Sequence, residues 1–161
     1  MTNGTAILEG GLANRSAWRA DRCPVGGALG VVGTRSAMLI MREAYYGTTR
    51  FDDFAERVGI TEAVAAARLR ELTGDGLLER QPYQVPGQRT RYEYRLTTKG
   101  RDLMPVVLSL FEWGAKYVSP DGRAPVELTH AGCGAPAHVV VRCDHGHPVP
   151  LSELAVAPAL R

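Results

Sequence analysis

The side chains best suited to chemistry crowd towards the C-terminal end of the chain. His130, Cys133, His138, Cys143, His145 and His147 all fall between positions 130 and 147, and thiol and imidazole donors at that density are the set that zinc takes. The candidate metal ligands are Cys133, Cys143 and His147, but the spacing favours a metal-free hairpin, and no cofactor is assigned. Cys23 stands alone near the other end. Three cysteines in all are an odd number and exclude a secreted disulfide framework; in a reducing compartment they are thiols, ligands or redox sensors. An enzyme would need Cys23 or Cys143 as nucleophile, a histidine as base and Asp144 to orient it. Nothing fixes a third partner, the histidines crowd one short stretch, and no glycine-rich phosphate loop is present. The chain is therefore read as a binding protein and not an enzyme, with no catalytic residue.

Binding chemistry is carried by arginine. Of 19 basic residues only Lys99 and Lys116 are lysine. GC-rich coding explains that bias as readily as phosphate recognition by the planar guanidinium fork does, so distribution decides. The net charge of the chain is only +2. Arg80, Arg89, Arg91, Arg95, Lys99 and Arg101, against the single acid Glu93, give segment 80–101 a charge of +5. A local basic patch on a near-neutral protein is the footprint of a nucleic-acid partner if it lies on one face.

Those arginines need elements to hold them. With 161 residues, 45% hydrophobic and 22% charged, the chain has the size and composition of one globular domain with an appendage. No apolar run approaches the roughly 20 residues of a membrane helix, and nothing at 1–9 marks a secretory signal, so a cytoplasmic location without a membrane partner is expected. Residues 1–20 read as a flexible arm with one helical turn near Ala17–Arg19. Val25, Ala28, Leu29 and Val32, then Ala37, Met38, Ile40, Met41, Ala44 and Tyr45, are apolar stripes that predict two helices before Gly47. Phe51–Val58 and the stretch from Thr61, an N-cap, to about Thr73 predict two short helices around Gly59, a helix-turn-helix pattern. A β-hairpin with a basic tip follows, its strands beginning near Leu77 and Arg89. An apolar helix from about Thr98 to Val118 contains Pro105, which should kink it unless it begins later. Pro120–Pro125 reads as a linker, Val126–Leu128 and Val139–Val141 as short strands of a hairpin, and 151–161 has no assignment.

Helix, helix-turn-helix, basic hairpin and long apolar helix, in that order, is a winged-helix arrangement. The expected fold class is α+β, mainly α: a winged helix-turn-helix with helical dimerisation elements and a small C-terminal β-hairpin extension. Its parts would be the arm at 1–20, a DNA-binding and dimerisation domain at 21–119 and the extension at 120–161. A helix fits the major groove, and hairpin arginines reach flanking phosphates or the minor groove. A helical protein-interaction module would explain the last helix but not those arginines.

Cys23-Pro-Val, Leu29-Gly-Val-Val-Gly-Thr-Arg, Arg50-Phe-Asp-Asp-Phe, Arg68-Leu-Arg-Glu-Leu, Gly76-Leu-Leu-Glu-Arg and Tyr92-Glu-Tyr-Arg-Leu-Thr-Thr-Lys-Gly stand in the order and spacing of the HxlR-type winged-helix regulators of the MarR-like superfamily, which the chain resembles across Cys23–Tyr117. The resemblance implies a bacterial transcriptional regulator that binds double-stranded operator DNA as a homodimer through its terminal helices, without enzymatic activity. It also implies an alternative, since some members sense oxidants through an N-terminal cysteine placed like Cys23. Longer members carry a tail with a zinc-ribbon look; the second cysteine of its last knuckle is Gly146 here, so that pair is broken.

Two departures from the family pattern bear on function. Where the family has tryptophan after the Gly-x-Arg element, this chain has Ser36 and Ala37. A missing indole removes on the order of 200 Å² of aromatic surface. Either neighbours close the gap or they leave room for a small apolar effector, with Ser36, Ala37, Met41, Tyr45 and Trp113 as candidate walls. The second departure is a run of alanine, Ala65, Ala66 and Ala67, in the recognition helix. The candidate DNA contacts are then Thr61, Glu62, Ala66, Arg68 and Arg70 of that helix and Arg89 and Arg91 of the hairpin. Alanine can touch a thymine methyl but cannot make bidentate hydrogen bonds to bases. Phosphate affinity is expected to be strong and direct base reading thin, with shape readout by the wing compensating.

Overall fold

Each helix starts and stops where local chemistry directs. In the computed structural model, which describes residues 4–17, 23–84, 87 and 89–158, helix α1 is Pro24–Val32 and opens on a proline, whose missing N–H costs nothing in a first turn. Helix α2, Arg35–Tyr45, is capped by Thr34, whose Oγ1 accepts from the Ala37 amide at 3.2 Å. The two axes diverge by 79°, so α1 stands away from the body and buries only Val32. Helix α3, Phe51–Val58, ends at Gly59, whose φ of 69° is left-handed backbone that suits glycine. Helix α4, Glu62–Gly74, is capped by Thr61 Oγ1 accepting from the Val64 amide. Together α3 and α4 are the expected helix-turn-helix.

The core lies where α2, α3 and α4 meet. Ile40, Met41, Phe54, Leu69, Leu72 and Leu78 are fully enclosed, each stabilising the fold by about 1.5–3 kcal/mol. Strands β1, Ile7–Leu8, and β4, Ala155–Val156, pair in parallel at the chain ends. Strands β2, Leu78–Tyr83, and β3, Arg91–Leu96, form the antiparallel wing in register Leu78↔Leu96 to Tyr83↔Arg91. Arg50 adds a one-residue bridge to Glu93 on the other side of β3, and the Tyr94 amide donates to the Thr49 carbonyl at 2.8 Å. That leaves β2 at the sheet edge, where Pro82 is tolerated because no neighbour needs its missing N–H. The strand thus runs through Pro82 to Tyr83.

The wing is bolted to the helices at its root. Tyr94 meets Phe54 edge to face, ring centroids 6.3 Å apart. Thr97 Oγ1 donates to the Gly76 carbonyl and accepts from the Gly100 amide. A Cβ at Gly100 would lie 2.1 Å from the Leu77 carbonyl oxygen, so only glycine fits. The predicted Thr98–Val118 helix is divided: α5, Thr98–Asp102, gives way at Leu103 to α6, Met104–Tyr117, which carries Pro105 in its first turn. Proline begins the helix instead of kinking it.

The ends differ from their sequence reading. The segment expected as a loose arm is stitched to the far end of the chain, the Ile7 amide donating to the Leu154 carbonyl at 2.8 Å. A 3-10 turn occupies Arg15–Ala17, and the rest of the turn expected near Ala17–Arg19 lies outside the described residues. The tail divides its hairpin character between two tight turns, closed by single bridges Thr129↔Pro136 and Arg142↔Pro148. In place of strands over Val126–Leu128 and Val139–Val141, the chain is held there by isolated bonds such as Ala137 amide to Leu128 carbonyl, 2.8 Å.

Candidate nucleic-acid interface

Helix α4 is seated by Ala65, Leu69 and Leu72, which fixes what it turns outward. Positions three and four apart share a face, so Ala63, Ala66, Ala67 and Arg70 form one outward strip, with Glu62 exposed in the first turn. Arg68 lies on a different strip, half-buried, donating to Glu71 one turn on. It is committed to that carboxylate, which weakens its expected part in DNA contact. Arg70 is exposed and has no such partner among the described residues.

The arginines divide by what holds them. Arg42 donates to Glu43 through Nε and Nη2 at 3.1 and 2.6 Å, and Arg95 to Glu93 at 2.7 Å. Arg57 reaches the Thr48 hydroxyl, and Arg101 and Arg142 reach backbone carbonyls. These are structural arginines. Arg50, Arg70, Arg80, Arg89 and Arg91 have no ion pair or side-chain hydrogen bond among the described residues. All five lie on α4, on the wing or at the start of α3 beside it, whereas Arg35 and Arg123, which also lack such a partner among the described residues, lie on α2 and after α6. Arg80 and Arg50 instead lie over tyrosine rings, 3.6 Å from the centroid of Tyr92 and 3.3 Å from that of Tyr83. A recess of about 290 Å³ between α4 and the wing is walled by Ala66, Arg70, Thr73, Arg80 and Tyr94.

Sequence reading missed Arg50 and Arg80 as site residues. The signal for Arg80 was available: cross-strand partners share a sheet face, and Arg80 opposite Tyr94 beside Tyr92 marks a basic-aromatic surface. For Arg50 no local signal exists, since only the bridge to Glu93 brings it to the sheet.

The expected effector walls do not converge. Ala37 and Met41 are buried in the core, Ser36 sits beside Thr34 at the helix start, and Trp113 is 59% exposed. Tyr45 alone of the five lines a largely apolar cavity of about 270 Å³, between α2 and α6, with Met38, Leu39, Val107, Phe111 and the tail's Leu128. Tyr45 donates its phenol proton to the Gly100 carbonyl at 2.6 Å, at the wing root, and burial pushes that phenol up to about 12.

Cys23 is the half-buried N-cap of α1 and makes no side-chain cap. Cys133 Sγ and His130 Nδ1 lie 3.2 Å apart, but among the described residues no three His, Cys, Asp or Glu side chains come together as a metal site. His138 turns away to Glu112 of α6, 2.9 Å. No single helix among the described residues is long and apolar enough to cross a membrane.

A helix-turn-helix followed by a basic two-stranded wing, packed on flanking helices, defines a winged-helix transcription regulator. Residues 31–122 match the HxlR-like helix-turn-helix family, and the chain belongs to that family. The uncharacterized HTH-type transcriptional regulator Mb3122 of Mycobacterium bovis is 40% identical over 121 residues, 75% of each chain. The crystal structure of PA1607, a candidate transcription factor, superposes with a TM-score of 0.72 at 35% identity, over 80% of this chain and 89% of that one. The redox regulator HypR in its reduced form is 35% identical, with a TM-score of 0.52 over 56% of this chain and 89% of its own.

Proposed function

We propose that this protein regulates transcription in the cytoplasm as a homodimer that binds operator DNA without catalysing a reaction. The observation that carries the reading is the set of unpaired arginines on α4, the wing and the start of α3, of which Arg70 and Arg80 wall the α4–wing recess, on a fold shared with transcription regulators. Arg70, Arg89 and Arg91 contact backbone phosphates, Thr61 and Glu62 lie at the α4 entry to the groove, and Ala66 meets thymine methyls. Binding to random-sequence duplexes at two salt concentrations tests this: affinity falls steeply with salt for a phosphate binder, and a flat response or no binding refutes it.

The dimer surface is drawn from α1 and α6. Val25 and Leu29 of α1 and Leu110, Trp113 and Tyr117 of α6 are all more than half exposed, and large apolar side chains left in water on terminal helices suit an interface. Phe111 faces α2 instead. Light scattering at micromolar concentration should give twice the monomer mass; a monomer refutes the dimer. The α2–α6 cavity is the place for a small apolar effector, in contact through Tyr45 with the wing root. It regulates only if it favours one spacing of the two recognition helices over another.

A second reading rests on Cys23. HypR is a redox regulator, and Cys23 is a half-buried thiol at a helix start. Oxidant that releases DNA from wild type but not from Cys23→Ser supports it; equal response excludes it.

A further inference from the structure

The chain exposes 12101 Å², against about 7,900 Å² for a compact monomer of its mass. The excess, roughly 4,000 Å², is several times the ~800 Å² per partner that a standard interface covers. Two segments lack cover in the protomer. Helix α1 has no polar or charged side chain and is exposed over 24–30, although a helix apolar on every side belongs inside a structure. The C-terminal extension has no core of its own: between 119 and 158 no residue is buried. We propose that the extension and α6 are the two walls of a groove that takes α1 of a second copy. This rests on the homodimer reading and adds the extension, which that reading does not use.

The groove already exists in the protomer. It measures about 830 Å³, with Leu110, Gly114 and Val118 of α6 on one side, Val126 of the extension on the other and Leu39 of α2 between the two in the lining. The three α6 residues stand four apart and so share one face. Arg35 and the Arg42–Glu43 pair are the charged groups of the lining. The extension is pinned to α6 by Glu112, whose carboxylate accepts from His138 Nδ1 at 2.9 Å and from the Val139 amide at 3.3 Å. The walls nonetheless stay bare, Val118 at 67% and Val126 at 48% exposure. Helix α1 does not fill the groove of its own protomer, because it turns 79° from α2 and buries only Val32. A Cβ at Gly27 or Gly30 would meet nothing within 4 Å, so nothing in the protomer requires glycine there, where it weakens a helix. A second surface in close approach supplies that requirement. The outer face of α6 alone offers an all-apolar helix one wall, and the extension offers the other. Each copy carries one such helix and one such groove, so a two-fold axis satisfies both at once.

Cross-linking tests the placement on the full chain with Cys23, Cys133 and Cys143 replaced by serine. Chains carrying Leu29→Cys are mixed with chains carrying Val126→Cys and oxidised. The expected result is a disulfide between the two kinds of chain, absent when Val140→Cys takes the place of Val126→Cys. Val140 is exposed in the same extension but outside the groove. If light scattering gives a dimer and no such disulfide forms, the groove is overturned and the dimer stands. If the chain is a monomer, both fall. A disulfide that forms only within one chain carrying both Leu29→Cys and Val126→Cys places α1 in its own groove and also overturns the proposal. Sedimentation equilibrium supplies a second readout without cysteine. Val126→Asp should raise the dimer dissociation constant about tenfold or more by setting a carboxylate in an apolar contact, and Val140→Asp should leave it unchanged. Circular dichroism confirms that each variant is folded; a folded Val126→Asp chain with the wild-type constant overturns the groove.

Discussion

Helix α4 and the wing flank one recess, the helix with a single unpaired arginine, Arg70, and the wing side with several. The helix turns Ala63, Ala66 and Ala67 outward and ties Arg68 to Glu71. The wing and its root leave Arg50, Arg80, Arg89 and Arg91 unpaired and lay two of them on tyrosine rings. In a winged helix the helix usually reads bases and the wing steadies the backbone. Here most of the unpaired guanidinium groups lie on the wing and its flank, with Arg70 the one on the helix. Affinity drawn from phosphates does not depend on sequence, so discrimination must come from thymine methyl contacts, from Thr61 and Glu62 at the helix entry and from the shape of the duplex.

That contrast can be broken or sharpened by substitution. The largest effect is expected from Phe54→Ala, which removes the ring on which Tyr94 seats the wing against α3. Phe54 is fully buried, and such truncations cost about 3–5 kcal/mol, measured by denaturant melts. Loss of stability well under about 1 kcal/mol would mean that the wing is not anchored there. Thr61→Ala should cost about 1 kcal/mol by removing the N-cap of α4, with little change in salt slope, because that hydroxyl caps the helix.

Tyr45→Phe should cost about 1 kcal/mol through the lost bond to the Gly100 carbonyl, and it has a pH signature. Burial raises the folded phenol to about 12 from its ordinary value of 10.0, so the folded state holds its proton where the unfolded state releases it. Wild-type stability should therefore be insensitive to this group below pH 10 and decline between about pH 10 and 12. The variant should lack that part of the decline. Identical alkaline melts would contradict the buried, proton-donating phenol. The smallest effect is expected from Arg68→Ala, whose salt slope should match wild type because Glu71 already neutralises the side chain. A slope lower by a full unit would place Arg68 on phosphate and dissolve the contrast.

The helical body was legible because its signals are local. Thr61 and Gly59 punctuate the helix pair, and the apolar spacing of Ala65, Leu69 and Leu72 fixes which side of α4 is buried. The wing's register was half legible, since alternation marks Tyr92, Tyr94 and Leu96 but cannot reveal that Arg50 joins the sheet through Glu93. The effector walls were misplaced because a missing tryptophan reports lost bulk without saying which neighbours fill it. The apolar cavity of the structure lies between α2 and α6 beside Tyr45. At the chain ends two-residue strands have no readable period, and the pairing of Ile7–Leu8 with Ala155–Val156 depends on contacts between segments far apart in the chain.

The central claim is that unpaired wing arginines supply DNA affinity through phosphates. The most direct measurement compares wild type with the Arg89→Ala/Arg91→Ala double variant on a random-sequence duplex across a range of salt concentrations. The account predicts uniformly weaker binding and a slope shallower by about two units, one for each lost phosphate contact. A double variant that binds as tightly as wild type with the same slope would contradict it.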